Sequence, residues 1–266
     1  MKILTTLFNY PLKPHDYNEL HEVFLLSCKK HMPDVEVVIL KLQVPIVRDN
    51  KRPGCWVNTV KLREMVKYVE TCNDDIILAD CDMLCTAPAY DAFKEDFDIA
   101  VTFKDKPQGR CPLNGGIIFV KNTPLAHDWL KKLSEVNDQM YSNKSFHDEW
   151  MAKYFGMNQA AMGYMIENSG HLAKVVRYST QKWNNCDYDW VNFNEETVFV
   201  HVKGPLREAL FQRVGYSDHA KIMKLWYTYT KDQSFSVKAY TYKDRKSRRS
   251  PNNQAARIKD RLRRRR

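Results

Sequence analysis

Two carboxylates one residue apart, Asp80 and Asp82, are the side chains of this sequence best suited to chemistry. They follow the apolar run 76–79, which predicts a buried strand that reaches the surface at Asp80. Carboxylate oxygens bind Mg²⁺ or Mn²⁺, and such an ion can bridge to the oxygens of a diphosphate. Two acids merely solvated at a strand end are the ordinary alternative, and the pair alone leaves both interpretations open.

A third metal ligand would have to come from another strand end, and His201 stands in such a place. It closes the apolar run 198–200, about 120 residues downstream of the acids. An imidazole ligand favours Mn²⁺ over Mg²⁺. The alternative for His201 is a histidine hydrogen-bonded at a strand edge.

Apolar runs of strand length alternate with segments of helical spacing, which is typical of an α/β fold with a mostly parallel sheet. The predicted strands cover residues 3–8, 35–40, 75–79, 97–102, 116–120 and 198–201. The predicted helices cover residues 17–31, 58–71, 123–140, 147–155 and 218–230. Open sheets of this kind bind ligands at the carboxyl ends of their strands, which is where Asp80 is expected.

Charge is unevenly spread over the 266 residues. Residues 243–266 contain 12 of the 42 basic and two of the 32 acidic residues, so residues 1–242 contain 30 of each. We therefore predict one large domain over 1–242 and a basic tail over 243–266 that stays disordered until it binds a polyanion. A nucleic-acid backbone and an anionic membrane surface are the two candidate polyanions.

The seven cysteines include no Cys-x-x-Cys pair, and their odd number and irregular spacing predict free thiols in a reducing compartment. The apolar run at the N-terminus is too short and too interrupted for a signal peptide, and no run reaches the length of a membrane span. These features predict a cytoplasmic location.

Four short motifs occur along residues 1–215 in the order found in one enzyme family. They are Lys-Leu-Arg at 61–63 followed by Asp-Cys-Asp at 80–82, Leu-Asn-Gly-Gly at 113–116, Asp-Glu at 148–149, and His-x-x-Gly at 201–204. Together they resemble the glycogenin-like (family 8-type) glycosyltransferases, which have the GT-A fold. The resemblance implies that fold, with a Rossmann-like sheet, and transfer of a sugar from a nucleotide-diphosphate sugar. Glu149 and Pro205-Leu206-Arg207 depart from the family, which has glutamine and often Lys-Pro-Trp there.

The resemblance also implies roles for individual residues. Asp80, Asp82 and His201 would hold Mn²⁺ or Mg²⁺ on the diphosphate of a UDP-sugar, and transfer would retain the anomeric configuration. Asp148 and Asn114 would be the catalytic residues, with Asp148 contacting the donor sugar. The residues implied to bind the nucleotide sugar are Asn9, Tyr10, Lys61, Arg63, Asp80, Gly115, Gly116, Lys203, Gly204 and Arg207.

Structural alternatives stand beside several of these roles. Asn9 and Tyr10 are equally explained by an ordinary βα turn, and Lys61 and Arg63 by a solvated helix surface. Asp148 is also explained as an acid stabilised at the start of a helix by the helix dipole.

The acceptor is less defined than the donor. The loop 183–190 contains Trp183 and Trp190 with two asparagines, which suits stacking on a sugar or base, although two buried tryptophans pinning the loop explain it slightly better. A glycan such as lipopolysaccharide, modified at the inner membrane, and a modified base in DNA of an infected host cell are near-equal hypotheses, with the glycan slightly favoured. The hypothesis from another class is a catalytically inactive GT-A-like protein that binds nucleic acid.

Overall fold

The computed structural model describes residues 1–9, 17–43, 52–105, 111–230 and 234–238. The chain divides into two compact units, Met1–Val202 and Lys203–Arg266. The predicted tail 243–266 and Tyr10 lie outside the described residues, so the predicted boundary at residue 242 stays a prediction.

The first unit alternates strands and helices. Its strands are β1 (Lys2–Asn9), β2 (Glu36–Gln43), β3 (Ile76–Ala79), β4 (Met83–Cys85), β5 (Ile99–Phe103), β6 (Leu113–Val120), β7 (Val175–Ser179) and β8 (Phe199–His201). Its helices are α1 (Tyr17–His31), α2 (Pro53–Thr71), α3 (Pro124–Ser142), α4 (Lys144–Tyr154), α5 (Met157–Asn168) and α6 (Thr180–Trp183), with 3₁₀ turns at Tyr90–Phe93 and Asp187–Asn192.

Six strands form the main sheet in the order β2-β1-β3-β6-β5-β7. Strand β1 runs parallel to β2 and β3, and β5 runs parallel to β7. Strand β6 is antiparallel to both of its neighbours, β3 and β5. The sheet is therefore mostly parallel, as the sequence predicts, with one reversed strand near its centre.

The reversed strand decides which residues meet. The carboxyl ends of β1, β3 and β5 lie at one edge of the sheet, and because β6 is antiparallel its amino end lies at that same edge. Asp80 follows the last residue of β3, and Asn114 is the second residue of β6. Two motifs 34 positions apart in the sequence are thereby brought to one edge of the sheet.

Both faces of the sheet are covered by helices, because its central strands are apolar on both sides. Ile76 and Leu78 of β3 pack in the cluster that contains Trp129 and Leu133 of α3, whereas Ile77 packs in the cluster that contains Phe24 of α1. All four residues of β3 are buried, as expected for a strand inside a parallel sheet.

Helix α3 shows how local signals produce one of these layers. Thr123 caps its first turn by accepting a hydrogen bond from the amide of Ala126 at 3.1 Å, and Pro124 occupies the first helical position. Its buried side chains follow helical spacing, and the apolar ones belong to the core cluster that contains Ile76 and Leu78 of β3; the buried residues are Ala126, Trp129, Leu130, Leu133, Val136, Asn137 and Met140.

A second, two-stranded sheet pairs β4 with β8 in antiparallel fashion, with Met83 opposite His201. Asp80, Cys81 and Asp82 form the link from β3 in the main sheet to β4 in this small sheet. The link therefore passes directly beside the strand that ends at His201.

The second unit contains α7 (Gly204–Gln212), β9 (Val214–Tyr216), a 3₁₀ turn at Ser217–His219, α8 (Ala220–Tyr227) and β10 (Ser236–Lys238). Strands β9 and β10 pair in parallel, and the Tyr227 hydroxyl donates to the carbonyl of Leu210 at 2.6 Å. Among the described residues of the whole chain, no helix has both the length and the apolar character needed to cross a bilayer.

The observed elements differ from the predicted ones at the start of one helix and in several elements that were not predicted. Helix α2 begins at Pro53, five residues before the predicted start, since proline is well suited to a first helical turn. The elements that were not predicted are helices α5, α6 and α7 and strands β4, β7, β9 and β10. The apolar residues of α5 do not follow one face, because the helix is buried on several sides, so the sequence lacks the helical period.

Candidate metal and nucleotide-sugar site

Three side chains that can ligate a cation meet at the end of β3. The Nε2 atom of His201 lies 3.5 Å from a carboxylate oxygen of Asp80 and 3.4 Å from one of Asp82. One ligand atom of each residue lies within 4.8 Å of the other two. The side chains of Asp82 and His201 are only 10% and 8% exposed, which distinguishes them from acids solvated at a strand end.

Main-chain hydrogen bonds fix this meeting point. The Asp80 amide donates to the carbonyl of Gly116 at 2.9 Å, and the Val202 amide donates to the carbonyl of Asp82 at 2.8 Å. The amide of His201 itself donates to the carbonyl of Asn185 at 2.9 Å. Each ligand is thus held by the backbone of a different neighbouring segment.

The donor set fits a divalent cation. Two ligand atoms that each lie about 2.1 Å from a shared ion are about 3 Å apart when they are adjacent around it, close to the spacing observed here. A set of two carboxylates and one imidazole suits Mn²⁺, whereas Mg²⁺ prefers a shell made entirely of oxygen ligands.

Lys61 of α2 forms an ion pair with Asp80, and the two side chains are 13% and 23% exposed. Burial acts to lower the pKa of Lys61, but the nearby Asp80 and Asp82 carboxylates outweigh it, so the pKa is raised and the lysine stays charged. The positive charge of Lys61 offsets the negative charge of one of the two carboxylates, Asp80. A bound cation would offset more of the negative charge that Asp80 and Asp82 hold in this partly buried place.

Gly116 leaves the space that His201 occupies. A Cβ atom on Gly116 would lie 2.4 Å from His201 Nδ1 and 2.6 Å from its Cε1. A Cβ on Gly115 would instead meet the terminal methyl of Met162 at 2.4 Å, and that flexible side chain can move. The two adjacent glycines therefore differ: one is required by the metal ligand, and the other borders a movable side chain.

Asn114 lies beside the metal ligand His201 and contacts two of its neighbours, Gly116 and Cys186. Its Oδ1 atom accepts from the amide of Gly116 at 3.0 Å and lies 3.3 Å from His201 Nδ1, and its Nδ2 atom donates to Cys186 Sγ at 3.1 Å. Asn114 is 2% exposed. The predicted catalytic residue Asn114 therefore lies at the site, where it contacts His201.

A small cavity of about 20 Å³, room for one water-sized group, opens beside Asp80. Its polar border is formed by Lys61, Asp80 and Asn158, with the backbone of Gly115. Its floor is apolar and includes Leu62, Met65, Leu78, Ile118, Leu133 and Met162. The Oδ1 atom of Asn158 is buried and accepts no hydrogen bond from the described residues.

Asp148 has a different environment. It lies on α4, where it forms an ion pair with Lys144 one turn earlier, and its side chain is 43% exposed. The hydrogen bond from Lys144 lowers the pKa of Asp148; burial opposes this shift, and the other nearby positive charges add to it. Among the described residues no hydrogen bond or ion pair joins Asp148 to the three candidate metal ligands, and its catalytic role stays a prediction.

Arg63 does not turn toward the metal site. Its guanidinium pairs with Asp138 of α3 at 2.8 Å and lies over the ring of Trp56. Lys61 and Arg63 stand two positions apart on α2, so they point to different sides of the helix.

The remaining predicted residues are only partly placed. Asn9 ends β1, whose carboxyl end lies at the site's edge of the sheet, but its side chain is not described. Lys203 precedes α7 and Gly204 begins it, with a positive φ of 49° that favours glycine; Arg207 lies on the same helix. All three belong to the second unit.

The loop 183–190 is held by burial. Trp183 and Trp190 are 7% and 1% exposed, and Asn184 and Asn185 are fully buried. The interpretation of two tryptophans pinning the loop to the body is confirmed. Sequence reasoning did not anticipate that Asn184 would contact Asn114, with its Nδ2 atom 3.1 Å from Asn114 Oδ1.

Asn158 and Cys186 were also missed. Gly156 could have indicated the start of α5, the helix that carries Asn158, because glycine is an acceptable N-terminal cap. No local signal marks Cys186, because its contact with Asn114 spans 72 residues.

The sequence matches no protein-family profile and no curated protein. The structure is similar to that of a glycosyltransferase involved in the glycosylation of the major capsid of PBCV-1, with a TM-score of 0.55 at 11% identity, covering 78% of this chain and 97% of that one. It is also similar to the glycosyltransferase GlyE of Streptococcus pneumoniae TIGR4, with a TM-score of 0.55 at 14% identity, covering 88% of this chain and 62% of GlyE. The predicted GT-A fold is confirmed.

We expect Gly116→Ala to weaken Mn²⁺ binding at least about tenfold, because the new methyl group displaces the His201 ring. Gly115→Ala is the matched control and should leave Mn²⁺ affinity within about threefold of the wild type, since Met162 can move aside. Titration of Mn²⁺ followed by electron paramagnetic resonance gives both affinities. Equal losses in the two variants would contradict the assignment of Gly116.

Proposed function

We propose that this protein is a metal-dependent glycosyltransferase that moves a sugar from a nucleotide-diphosphate sugar, a UDP-sugar in our assignment, to an acceptor hydroxyl. The observation that carries the proposal is the convergence of Asp80, Asp82 and His201 at the edge of a GT-A sheet. Nucleotide ligands of open α/β sheets bind at this edge.

In the proposed reaction, the bond between the anomeric carbon and the diphosphate oxygen breaks, and a bond from that carbon to the acceptor oxygen forms. The acceptor hydroxyl gives its proton to the leaving diphosphate oxygen, and UDP leaves with that proton. When bound at the three ligands, a divalent cation supplies Lewis-acid stabilisation of the leaving diphosphate. Lys61 keeps Asp80 in place, and Lys203 and Arg207 are proposed to add positive charge beside the phosphates.

The cavity beside Asp80 has room for one water-sized group, such as a single hydroxyl of the donor sugar, and not for a sugar ring. A sugar attached to a diphosphate held at Asp80 is proposed to direct one hydroxyl toward this cavity, which Lys61, Gly115 and Asn158 border. The unpaired oxygen of Asn158 is suited to accept a hydrogen bond from a sugar hydroxyl, because a buried acceptor without a partner is unfavourable. Asn158 thus joins Asp148 as a candidate contact of the donor sugar. Retention of configuration rests on the family resemblance.

Two classes of acceptor are compatible with the sequence. A glycan such as lipopolysaccharide is slightly favoured, and a modified base in DNA is the competing acceptor. The +10 charge of residues 243–266 supports binding to a polyanion and favours an inactive nucleic-acid-binding protein as the second candidate function. The three converging ligands favour the enzyme.

We expect Asp82→Asn to reduce Mn²⁺-dependent hydrolysis of the preferred UDP-sugar on the order of 100-fold, because several kcal/mol of charge stabilisation depend on the cation. Asp96→Asn, which changes a 92% exposed acid, is the control and should retain full activity. A panel of labelled nucleotide sugars identifies the donor. A wild-type protein that neither hydrolyses any of them nor binds UDP would refute the proposed enzyme.

Calorimetry with UDP and with the UDP-sugar distinguishes the two candidate contacts of the donor sugar, Asn158 and Asp148. Asn158→Leu should lower affinity for the UDP-sugar by about three- to tenfold without changing affinity for UDP, since it removes one hydrogen bond to the sugar. Asp148→Asn should change neither affinity, because Asp148 is paired with Lys144. The reverse pattern would favour Asp148 as the contact.

Removal of residues 243–266 should abolish salt-sensitive binding to duplex DNA while leaving UDP-sugar hydrolysis unchanged, because the net positive charge lies in that segment. A full-length variant with Arg263, Arg264, Arg265 and Arg266 changed to glutamine controls for the loss of chain length. Unchanged DNA affinity in the truncated protein would contradict a polyanion-binding tail.

A further inference from the structure

A buried polar network lies behind the metal ligand His201. It consists of Asn114, Asn184 and Thr102, which are 2%, 0% and 0% exposed. The Nδ2 atom of Asn184 donates to Thr102 Oγ1 at 2.7 Å and lies 3.1 Å from Asn114 Oδ1 and 3.2 Å from the Asn114 carbonyl. Buried amides are costly unless their polar atoms are used, so such a network needs an explanation beyond packing.

The identities of the two amide atoms of Asn114 follow from their neighbours. The amide of Gly116 can only donate, and it points to one side-chain atom of Asn114 at 3.0 Å, which must therefore be the oxygen. The amide nitrogen of Asn184 also lies near that atom and two further acceptors, so it too donates. The oxygen of Asn114 is consequently fixed in the direction of His201.

The fixed oxygen decides where His201 carries its proton. His201 Nδ1 lies 3.3 Å from Asn114 Oδ1, and since that oxygen can only accept, Nδ1 must carry the hydrogen. In the neutral imidazole the other nitrogen, Nε2, then has a free lone pair. Nε2 is the atom that faces Asp80 and Asp82, at 3.5 and 3.4 Å.

The segment 184–185 also holds the main chain of His201. Asn184 follows α6, its amide donates to the Thr180 carbonyl at 3.0 Å, and the next residue, Asn185, accepts from the His201 amide at 2.9 Å. The segment therefore restrains His201 at its backbone through Asn185 and at its ring through Asn184 and Asn114.

We propose that Asn184 is a positioning residue: acting through Asn114, it holds His201 in the Nδ1–H tautomer with Nε2 directed at the metal position. This inference rests on the proposed metal-dependent function, and it assigns to Asn114 a role in orienting a metal ligand. Groups that accept a hydrogen bond from the second nitrogen of a metal-bound histidine change metal affinity by about 10- to 100-fold when they are removed.

The first test measures the wild-type protein without metal. Correlation of the imidazole ¹⁵N and ¹H signals at pH 8 reports the tautomer, and the His201 signal is identified by its loss in His201→Gln. The Nδ1–H tautomer is the expected result. A predominant Nε2–H tautomer would overturn the proposal, and this measurement requires no variant other than the assignment control.

The second test compares two fully buried asparagines. Asn184→Leu should mix the His201 tautomers and weaken Mn²⁺ binding by about 10- to 100-fold. Asn137→Leu is the matched control, because the Asn137 side chain is equally buried but donates to Thr59 Oγ1 on α2 instead. It should leave the tautomer and the Mn²⁺ affinity unchanged, even where it lowers the unfolding temperature.

Two outcomes separate this inference from its premise. Wild-type tautomer and Mn²⁺ affinity in Asn184→Leu would overturn the positioning role. A wild type that binds Mn²⁺ with the expected tautomer but neither hydrolyses a nucleotide sugar nor binds UDP would refute the proposed reaction and leave the positioning role supported.

Discussion

The close approach of two largely buried carboxylates, Asp80 and Asp82, is the constraint on which the rest of the site depends. Like charges so near each other in a partly dehydrated place are unfavourable unless positive charge compensates them. Lys61 compensates one, and it remains charged because of the acids beside it. The second acid and the lone pair of His201 face the same position, where a divalent cation would complete the balance.

Strand direction is what makes this arrangement possible. The acids leave the main sheet at the end of β3 and enter β4, whose partner β8 ends at His201. Because β6 is reversed, its amino end supplies Asn114 and Gly116 at the same edge, the first to contact the imidazole and the second to leave room for it. The ligands, their support and the open space thus come from four strands joined by main-chain hydrogen bonds.

The sequence predicts this edge well where the signal is local. An apolar run followed by acids identifies β3 and Asp80, and a second run identifies the strand that ends at His201. It predicts less where function depends on tertiary contacts. Asn184 meets Asn114 across 70 residues, and Asn158 is of interest only because its buried Oδ1 atom has no hydrogen-bond partner among the described residues. Helix α5, which carries Asn158, lacks a helical period because it is buried on several sides, so the hydrophobic pattern of the sequence gives no sign of it.

We propose that Asp80, Asp82 and His201 together hold a divalent cation. Crystals grown with Mn²⁺ and UDP, measured at an X-ray energy where manganese scatters anomalously, test it most directly. We expect an anomalous peak within bonding distance of both carboxylates and of His201 Nε2. A peak bound through Nδ1, or no peak among these three side chains in crystals that contain UDP, would contradict it.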